Sequence, residues 1–169
     1  MAFTTDPELL DGGRLLPLVE DFYTIVYPLL KKYKMTATNN IITDFTQKEK
    51  ENVLTFDQIK EMKHAGLTFE SHTVNHPDLA NSSLETQKNE LVASKRLLDK
   101  VLDQNTSVIV YPSGRYSQVT IDQAKKADYK LGLTTKNGLA SSADGLYSLK
   151  RVRILPTTTG EDLLAMIQE

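Results

Sequence analysis

The sequence predicts an α/β fold of parallel βαβ units, arranged either as an open doubly wound sheet or as an incomplete (β/α) barrel. Two observations support this fold class. Helix-like and strand-like patterns alternate along almost the whole chain, without a repeat or a linker. The segment SVIVY, residues 107–111, is a short continuous apolar run, which is typical of a fully buried parallel strand. The length of 169 residues suits one domain, so we predict a single domain over residues 1–169.

The spacing of apolar residues predicts each element in turn. Residues three and four apart indicate helices, and alternating or continuous apolar runs indicate strands. Pro28 predicts a kink in the first helix, Gly66 ends the second, and SSLE predicts a capping box before the third. The predicted elements are a helix at 20–33, a strand at 35–43, a helix at 55–65, a strand at 67–71, a helix at 81–102, a strand at 107–111, a helix at 120–127, strands at 130–135 and 149–155, and a helix at 160–168.

The composition excludes several classes of site and partner. Lys and Arg number 20 against 22 acidic residues, so no net charge attracts the protein to nucleic acid or to a membrane surface. There is no cysteine, so a metal site would need imidazole and carboxylate ligands. No window approaches the roughly 18 apolar residues of a spanning helix, and MAFTTDPELLDGG lacks the features of a signal peptide. We therefore expect no membrane span in this sequence.

Two loops follow predicted strands and carry the candidate functional residues. In parallel α/β folds the site lies at the carboxyl ends of the strands. His72 and His76 follow the strand LTFES, and residues 111–116, YPSGRY, follow SVIVY. Histidines four residues apart lie on one side of a helical turn and can direct their nitrogens at one metal ion. The spacing alone also fits two histidines that only hydrogen-bond to backbone.

The segment ESHTVNHPDL resembles the second motif of the polysaccharide deacetylase family, carbohydrate esterase family four, also called the NodB-homology domain. YPLLKKYKMTATNNIITDF and LTFDQIKEMKHAGLTFESH resemble the helices and strands before this motif. VIVYPSGRYS resembles the third motif, and LGLTTKNGL with YSLKRVRI resembles the closing part. Several motifs in the family's order, over roughly residues 20–155, are more specific than the histidine pair.

This resemblance implies a distorted (β/α) barrel and the metal-dependent removal of acetyl groups from an N-acetylated or O-acetylated polysaccharide. It implies that His72 and His76 bind a divalent metal, most often zinc, with cobalt or nickel as alternatives. The backbone N–H of Ser113 is implied as an oxyanion donor, and Arg151 as a supporting catalytic residue. The substrate groove would be lined by Tyr111, Pro112 and Arg115.

The family's first motif, a Thr-Phe-Asp-Asp-Gly run that supplies a base and a metal ligand, has no counterpart here. Alignment from the N-terminus places Asp6 at the base position and Pro7 at the ligand position, whereas counting back from EDFYT reaches Leu16 and Pro17. The sequence also allows a simpler interpretation of both aspartates. Asp6 can be a solvated turn residue before a proline, and Asp11 can be a turn residue before two glycines. The family's late histidine is missing as well, because TTTGEDLLAMIQE, which follows Pro156, contains none. The remaining histidine, His64, is predicted at the surface.

Two functions remain open. One is an active deacetylase of a cell-envelope polysaccharide, and the other is an impaired homologue that binds glycan without deacetylating it. The substrate class implies an extracellular or cell-surface location, and the oligomeric state is not predicted. An unrelated hydrolase or nucleotide-binding domain is not supported, because the sequence has no Gly-x-Ser-x-Gly elbow, no Walker loop and no dinucleotide fingerprint.

Overall fold

A computed structural model describes residues 3–5, 9–11, 14–16, 21–155 and 157–167. Strands and helices alternate along this part of the chain, as predicted. The strands are β1 (Phe3–Thr5), β2 (Leu9–Asp11), β3 (Arg14–Leu16), β4 (Ala37–Ile41), β5 (Thr68–Ser71), β6 (Val108–Val110), β7 (Leu131–Asn137) and β8 (Leu149–Arg151). The helices are α1 (Tyr27–Tyr33), α2 (Thr43–Gln47), α3 (Phe56–His64), α4 (Leu84–Leu102), α5 (Gln118–Lys126) and α6 (Gly160–Ile167).

Six strands form one parallel sheet in the order β1-β4-β5-β6-β7-β8, and β2 and β3 pair as a separate antiparallel hairpin. The two outer strands, β1 and β8, stand at opposite ends of this sheet, so among the described strands the barrel is open. The prediction of an incomplete (β/α) barrel is confirmed. Because all six strands run in the same direction, the loops that follow them emerge at one edge of the sheet.

The first helix is divided where the sequence has Pro28. A π-helical turn, Phe22–Val26, precedes α1, and the N–H of Tyr27 donates to the carbonyl of Phe22. Pro28 lies in the first turn of α1, where the lack of an N–H costs least. The first helix is therefore split just before Pro28, where π-helical hydrogen bonding changes to α-helical.

Several element ends differ from the prediction. The strand predicted at 149–155 ends at Arg151, and the strand predicted at 35–43 ends at Ile41, so that α2 begins at Thr43. The predicted capping box at SSLE is wrong by one residue, because the side chain of Ser83 caps α4 by accepting the N–H of Thr86. The capping threonine and the glycine stop of α3 are confirmed: Thr55 caps the helix, and Gly66 follows it at φ +97°.

The core consists of two apolar clusters, which fix the strands that carry the site. One packs α1 and α3 with the end of α4 on β4 and β5, and the other packs α4 and α5 on β6. The second cluster contains Leu79, Leu91, Ile109, Tyr111, Ala124 and Tyr129.

In the described part of the chain, no helix is both long enough and apolar enough to cross a bilayer.

Candidate active site

The carboxyl ends of β5 and β6 bring the two candidate loops side by side. The strands are parallel neighbours, with Ser71 opposite Ile109. The loop of residues 72–76 begins one residue after Ser71, and a short 3₁₀ turn, Pro112–Gly114, begins two residues after Val110. Two segments far apart in the sequence therefore form one site at the edge predicted for a parallel sheet.

His72 is fully buried at the end of β5 and held by the strands on both sides of it. Its backbone N–H donates to the carbonyl of Ile41 in β4 at 2.9 Å, and its ring atom Nδ1 lies 2.7 Å from the carbonyl oxygen of Val110 in β6. Because a carbonyl oxygen only accepts, Nδ1 carries the proton. In the neutral ring the lone pair is then on Nε2, which is the arrangement of a histidine that binds metal through Nε2.

His76 is half-buried and meets His72 edge to face. The ring centroids are 4.8 Å apart, and the ring planes are at 71°. The expectation that a helical turn brings the two rings together is wrong, because the loop is not helical and both Thr73 and His76 have positive φ angles, of +69° and +61°. The structure nevertheless unites the predicted pair through this irregular backbone.

The 3₁₀ turn after β6 presents Ser113 at the surface in a left-handed conformation, with φ 52° and ψ 19°. The two N–H groups that follow Ser113 are bonded within the turn: Gly114 donates to the carbonyl of Tyr111 at 2.8 Å, and Arg115 donates to that of Pro112 at 2.9 Å. These two bonds fix the peptide plane that carries the Ser113 N–H. The role of that N–H as an oxyanion donor stays a prediction, and the turn gives it a defined orientation.

Gly114 is required by its contact with the neighbouring strand β7. Its φ angle is +63°, and a Cβ built on it would lie 2.8 Å from the backbone nitrogen of Thr135 and 2.9 Å from the Cβ of that residue. Any other residue would push this turn away from β7. The glycine of the motif YPSG therefore sets how closely the turn packs on the sheet.

Tyr111 does not lie where the sequence predicted. Its ring is fully buried, stacks on Tyr116 at 4.7 Å, and packs against Gly132, and its hydroxyl donates to the carbonyl of Tyr147 at 3.0 Å. Burial also holds the pKa of this phenol above its ordinary value. A groove-lining role for the side chain is incompatible with this burial, and Pro112 is likewise buried. Both residues instead anchor the turn.

Arg115 is exposed and connects the two loops. Its Nη1 lies 2.7 Å from Oδ2 of Asp78, which follows His76 by two residues. Hydrogen bonds from Arg115 and from the Asn81 side chain lower the pKa of Asp78 below its ordinary value. Among the three predicted groove residues, only Arg115 presents its side chain to solvent beside the histidines.

Arg151 is half-buried at the end of β8, and its Nε donates to the carbonyl of Thr134 in β7 at 2.8 Å. Arg151 therefore lies next to Thr134, and the following residue, Thr135, is the one on which Gly114 of the turn packs. Arg153 lies beyond the end of β8, and its N–H donates to the Asn137 side chain. The supporting role of Arg151 stays a prediction.

The predicted catalytic base, Asp6, lies outside the described residues, as do Pro7 and Pro17. Asp11 ends β2 opposite Arg14, and Leu16 ends β3. Among the described residues, no cluster of three or more His, Cys, Asp or Glu side chains could hold a metal. His64 is exposed at the end of α3, as predicted.

The comparison with protein families agrees with this geometry. A family model described as polysaccharide deacetylase matches residues 10–132, which include both loops of the site. The chain belongs to the polysaccharide deacetylase family. The resemblance inferred from the motifs is confirmed, and so is the NodB-type barrel fold that it implied.

Solved members of this family share the architecture. The chain is similar to the Streptococcus pyogenes deacetylase PplD, solved in complex with acetate, with a TM-score of 0.88 and 44% identity over 99% of this chain and 80% of that one. It is also similar to BC0361, a polysaccharide deacetylase from Bacillus cereus, with a TM-score of 0.76 and 32% identity over 84% of this chain and 46% of that one.

Curated relatives are longer. YxkH of Bacillus subtilis is 40% identical over 148 residues, which are 88% of this chain and 52% of that protein. The poly-beta-1,6-N-acetyl-D-glucosamine N-deacetylase of Staphylococcus aureus is 30% identical over 147 residues, which are 80% of this chain and 51% of that enzyme. The chain thus spans about half the length of these two polysaccharide deacetylase relatives.

One residue of this polysaccharide deacetylase site escaped the sequence analysis. Glu90 in α4 is only 7% exposed, and its carboxylate accepts two backbone N–H groups of the loop between the histidines. A signal for it existed, because Glu90 lies at helical spacing with the buried residues Ser94 and Leu98. A charged residue in the buried stripe of a helix indicates a specific partner.

Proposed function

We propose that this protein is a metal-dependent hydrolase that removes acetyl groups from an N-acetylated polysaccharide of the cell envelope. The observation that carries the proposal is the pairing of His72 with His76 at the end of β5, with the Nδ1 proton of His72 held by Val110. The adjacent YPSG turn supports an acyl-transfer reaction, because a rigid backbone N–H can stabilise an oxyanion. The name of the staphylococcal relative supports an N-acetylglucosamine polymer as substrate.

His72 and His76 fit a divalent metal, because both are imidazoles and the tautomer of His72 leaves Nε2 for the ion. Zinc is the first candidate, with cobalt and nickel as alternatives. When bound, such a metal lowers the pKa of a coordinated water and polarises a carbonyl. Asp6 is proposed as the residue that accepts the proton, and the Ser113 N–H as the donor to the acetyl oxygen.

Other residues would position the polymer. Arg115 is exposed and can donate to sugar hydroxyl groups, while Asp78, two residues after His76, fixes its guanidinium group. Arg151 donates to the Thr134 carbonyl in the middle of β7, beside Thr135, and so supports the packing of the YPSG turn. Because envelope polysaccharides lie outside the membrane, we propose an extracellular or cell-surface location.

Metal binding and acetate release test the proposal together. We expect a zinc-loaded protein to release acetate from an oligomer of β-1,6-linked N-acetylglucosamine, and a chelator to stop the release. His72→Ala and His76→Ala should abolish both zinc binding and acetate release. His64→Ala is the matched control, because His64 is exposed at the end of α3, and it should change neither. Chitin oligomers and acetylated xylan test linkage and O-acetyl selectivity.

A second candidate is a homologue that binds glycan without deacetylating it. It is favoured by the sequence, in which no Thr-Phe-Asp-Asp-Gly run is found. If the protein binds the oligomer but releases no acetate when zinc, cobalt or nickel ions are added, this candidate is supported and the deacetylase proposal is contradicted. Acetate release by the wild type that is lost in His72→Ala would exclude it.

A further inference from the structure

The loop of residues 72–76 satisfies its backbone N–H groups almost entirely outside regular secondary structure. His72 donates to the Ile41 carbonyl in β4. The remaining N–H groups reach side chains: that of Thr73 reaches Ser71 Oγ at 3.3 Å, those of Val74 and Asn75 reach Glu90, and that of His76 reaches Thr73 Oγ1 at 3.0 Å. Side chains therefore satisfy most N–H groups of this loop, while its carbonyls at Thr73 and Val74 accept the N–H groups of Thr43 and Asp44 at 3.1 and 3.0 Å.

This conformation is strained at two of its residues. Thr73 is β-branched and has a φ angle of +69°, and His76 has one of +61°. A β-branched residue rarely adopts a positive φ angle, and such a conformation persists only when its surroundings over-determine it. The His72 and His76 rings meet because the chain turns through these two residues. What holds the loop therefore also holds the histidine pair.

Glu90 provides the largest share of that restraint. Its Oε2 accepts the N–H groups of Val74 at 2.8 Å and of Asn75 at 2.9 Å, and its Oε1 accepts the side-chain Nδ2 of Asn75 at 2.9 Å. A buried carboxylate is costly unless such donors surround it. Among the ion pairs of the described residues, none involves Glu90. Its charge is directed at the loop instead.

The helix turn that carries Glu90 is itself fixed to β5. Ser71, the last residue of β5, donates its hydroxyl to Ser94 Oγ at 2.9 Å, and the Ser94 hydroxyl donates to the Glu90 carbonyl at 2.7 Å. Both serines are fully buried. The same turn of α4 is thus anchored just before His72 and, through the Glu90 carboxylate, between the two histidines.

We propose that Glu90 is a positioning residue that holds the loop 72–76 in the strained conformation that brings His72 and His76 together. It contacts neither histidine ring in the described contacts and acts through the N–H groups of Val74 and Asn75. Its effect on the loop does not depend on a metal, whereas its effect on metal affinity rests on the proposed function. The two effects are therefore measured separately.

Amide hydrogen exchange in the metal-free protein tests the first effect. We expect the Val74 and Asn75 amides to be protected in the wild type and to exchange at least about ten times faster in Glu90→Ala, because their acceptor is lost. Glu90→Gln should restore most of the protection, since an amide oxygen can accept both N–H groups and the Asn75 amide can reverse to accept its NH₂ group. Glu85→Ala is the matched control, because Glu85 is exposed on the same helix.

Zinc titration and the visible spectrum of the cobalt-substituted protein test the second effect. We expect Glu90→Ala to weaken zinc binding by about 10–100-fold and to alter the cobalt spectrum, whereas Glu90→Gln should stay within a few-fold of the wild type. Asn75→Ala removes one of the three bonds from an exposed side chain, so it serves as a milder variant if Glu90→Ala does not fold. It should accelerate exchange at Val74 and Asn75 by a smaller factor.

The outcomes separate the two proposals. If Val74 and Asn75 exchange at the same rate in the wild type, in Glu90→Ala and in Asn75→Ala, the positioning role of Glu90 is wrong, whatever the metal result. If Glu90→Ala loosens the loop and leaves zinc affinity unchanged, its role in holding the histidine pair is wrong. If the wild type binds no zinc, the proposed function fails, and the exchange experiment still decides whether Glu90 holds the loop.

Discussion

His72 Nδ1 donates to the carbonyl oxygen of Val110 at 2.7 Å, so the histidine that directly follows β5 is oriented by the last residue of β6. The bond joins two motifs that are 38 residues apart in the sequence. It also decides which ring nitrogen is protonated before any ligand arrives. The site is therefore prearranged by the pairing of the two strands as well as by the histidine loop.

The tautomer of His72 is the first testable consequence. In metal-free protein at mildly alkaline pH, we expect nitrogen NMR to show His72 as the neutral form that is protonated at Nδ1. An unrestrained imidazole prefers protonation at Nε2, so exposed His64 is the internal control. A proton on Nε2 of His72 would contradict the bond to Val110 and with it the orientation proposed for metal binding.

Gly114→Ala should damage the site through backbone position. The new Cβ would meet Thr135 of β7, and the φ angle of +63° adds strain, so we expect a loss of about 1–3 kcal/mol in the free energy of unfolding and of most acetate release. Gly66→Ala is the control, because Gly66 also has a positive φ angle but no atom within 4 Å of its added Cβ. Urea unfolding and acetate assays compare the two variants, and equal losses in both would show that the contact with Thr135 is unimportant.

The sequence predicted the fold and the two loops because both depend on local patterns. The apolar run SVIVY could be recognised as a buried strand, and His72 and His76 lie in a motif directly after LTFES. The strands β1, β2 and β3 were not predicted: each has three residues, as β6 does, but none lies in a continuous apolar run like SVIVY. Strand β1 pairs with β4, and β2 and β3 pair with each other, so tertiary contacts select these short strands.

The side-chain directions at the site could not be predicted in the same way. Tyr111 belongs to a family motif, and the motif does not show that its ring packs against Gly132 in the core. The loop of residues 72–76 was expected to be a helical turn, because spacing does not reveal that Thr73 takes a positive φ angle. That conformation depends on the distant Glu90, so it is a tertiary effect that local propensity cannot express.

Arg115→Ala should affect substrate binding more than stability. Its ion pair with Asp78 is exposed, so a double-mutant cycle with Asp78→Asn should give only a small coupling in the free energy of unfolding. For the proposed reaction we expect Arg115→Ala to raise KM by several-fold with a smaller change in kcat. Lys60→Ala removes an exposed pair with Asp57 on α3 and is the control. An unchanged KM in Arg115→Ala would exclude Arg115 from the substrate groove.

Alkaline pH should destabilise the protein through two buried tyrosines. Burial raises the pKa of both Tyr111 and Tyr129 above the ordinary value of 10.0. Below pH 10 these phenols are protonated in the folded and unfolded chain alike, so stability is unaffected. As the pH rises past 10, they ionise only in the unfolded chain, and the free energy of unfolding therefore falls.

Thermal unfolding at increasing pH, followed together with phenolate absorbance, measures this effect. We expect phenolate from Tyr111 and Tyr129 to appear only as the chain unfolds. Tyr129→Phe should make the alkaline decline less steep, while losing at all pH values the bond from its hydroxyl to the Leu91 carbonyl. Tyr33→Phe is the control, because Tyr33 is exposed at the end of α1, and it should leave the slope unchanged. If the folded protein ionises all its tyrosines before it unfolds, the rings of Tyr111 and Tyr129 are more accessible than the structure shows.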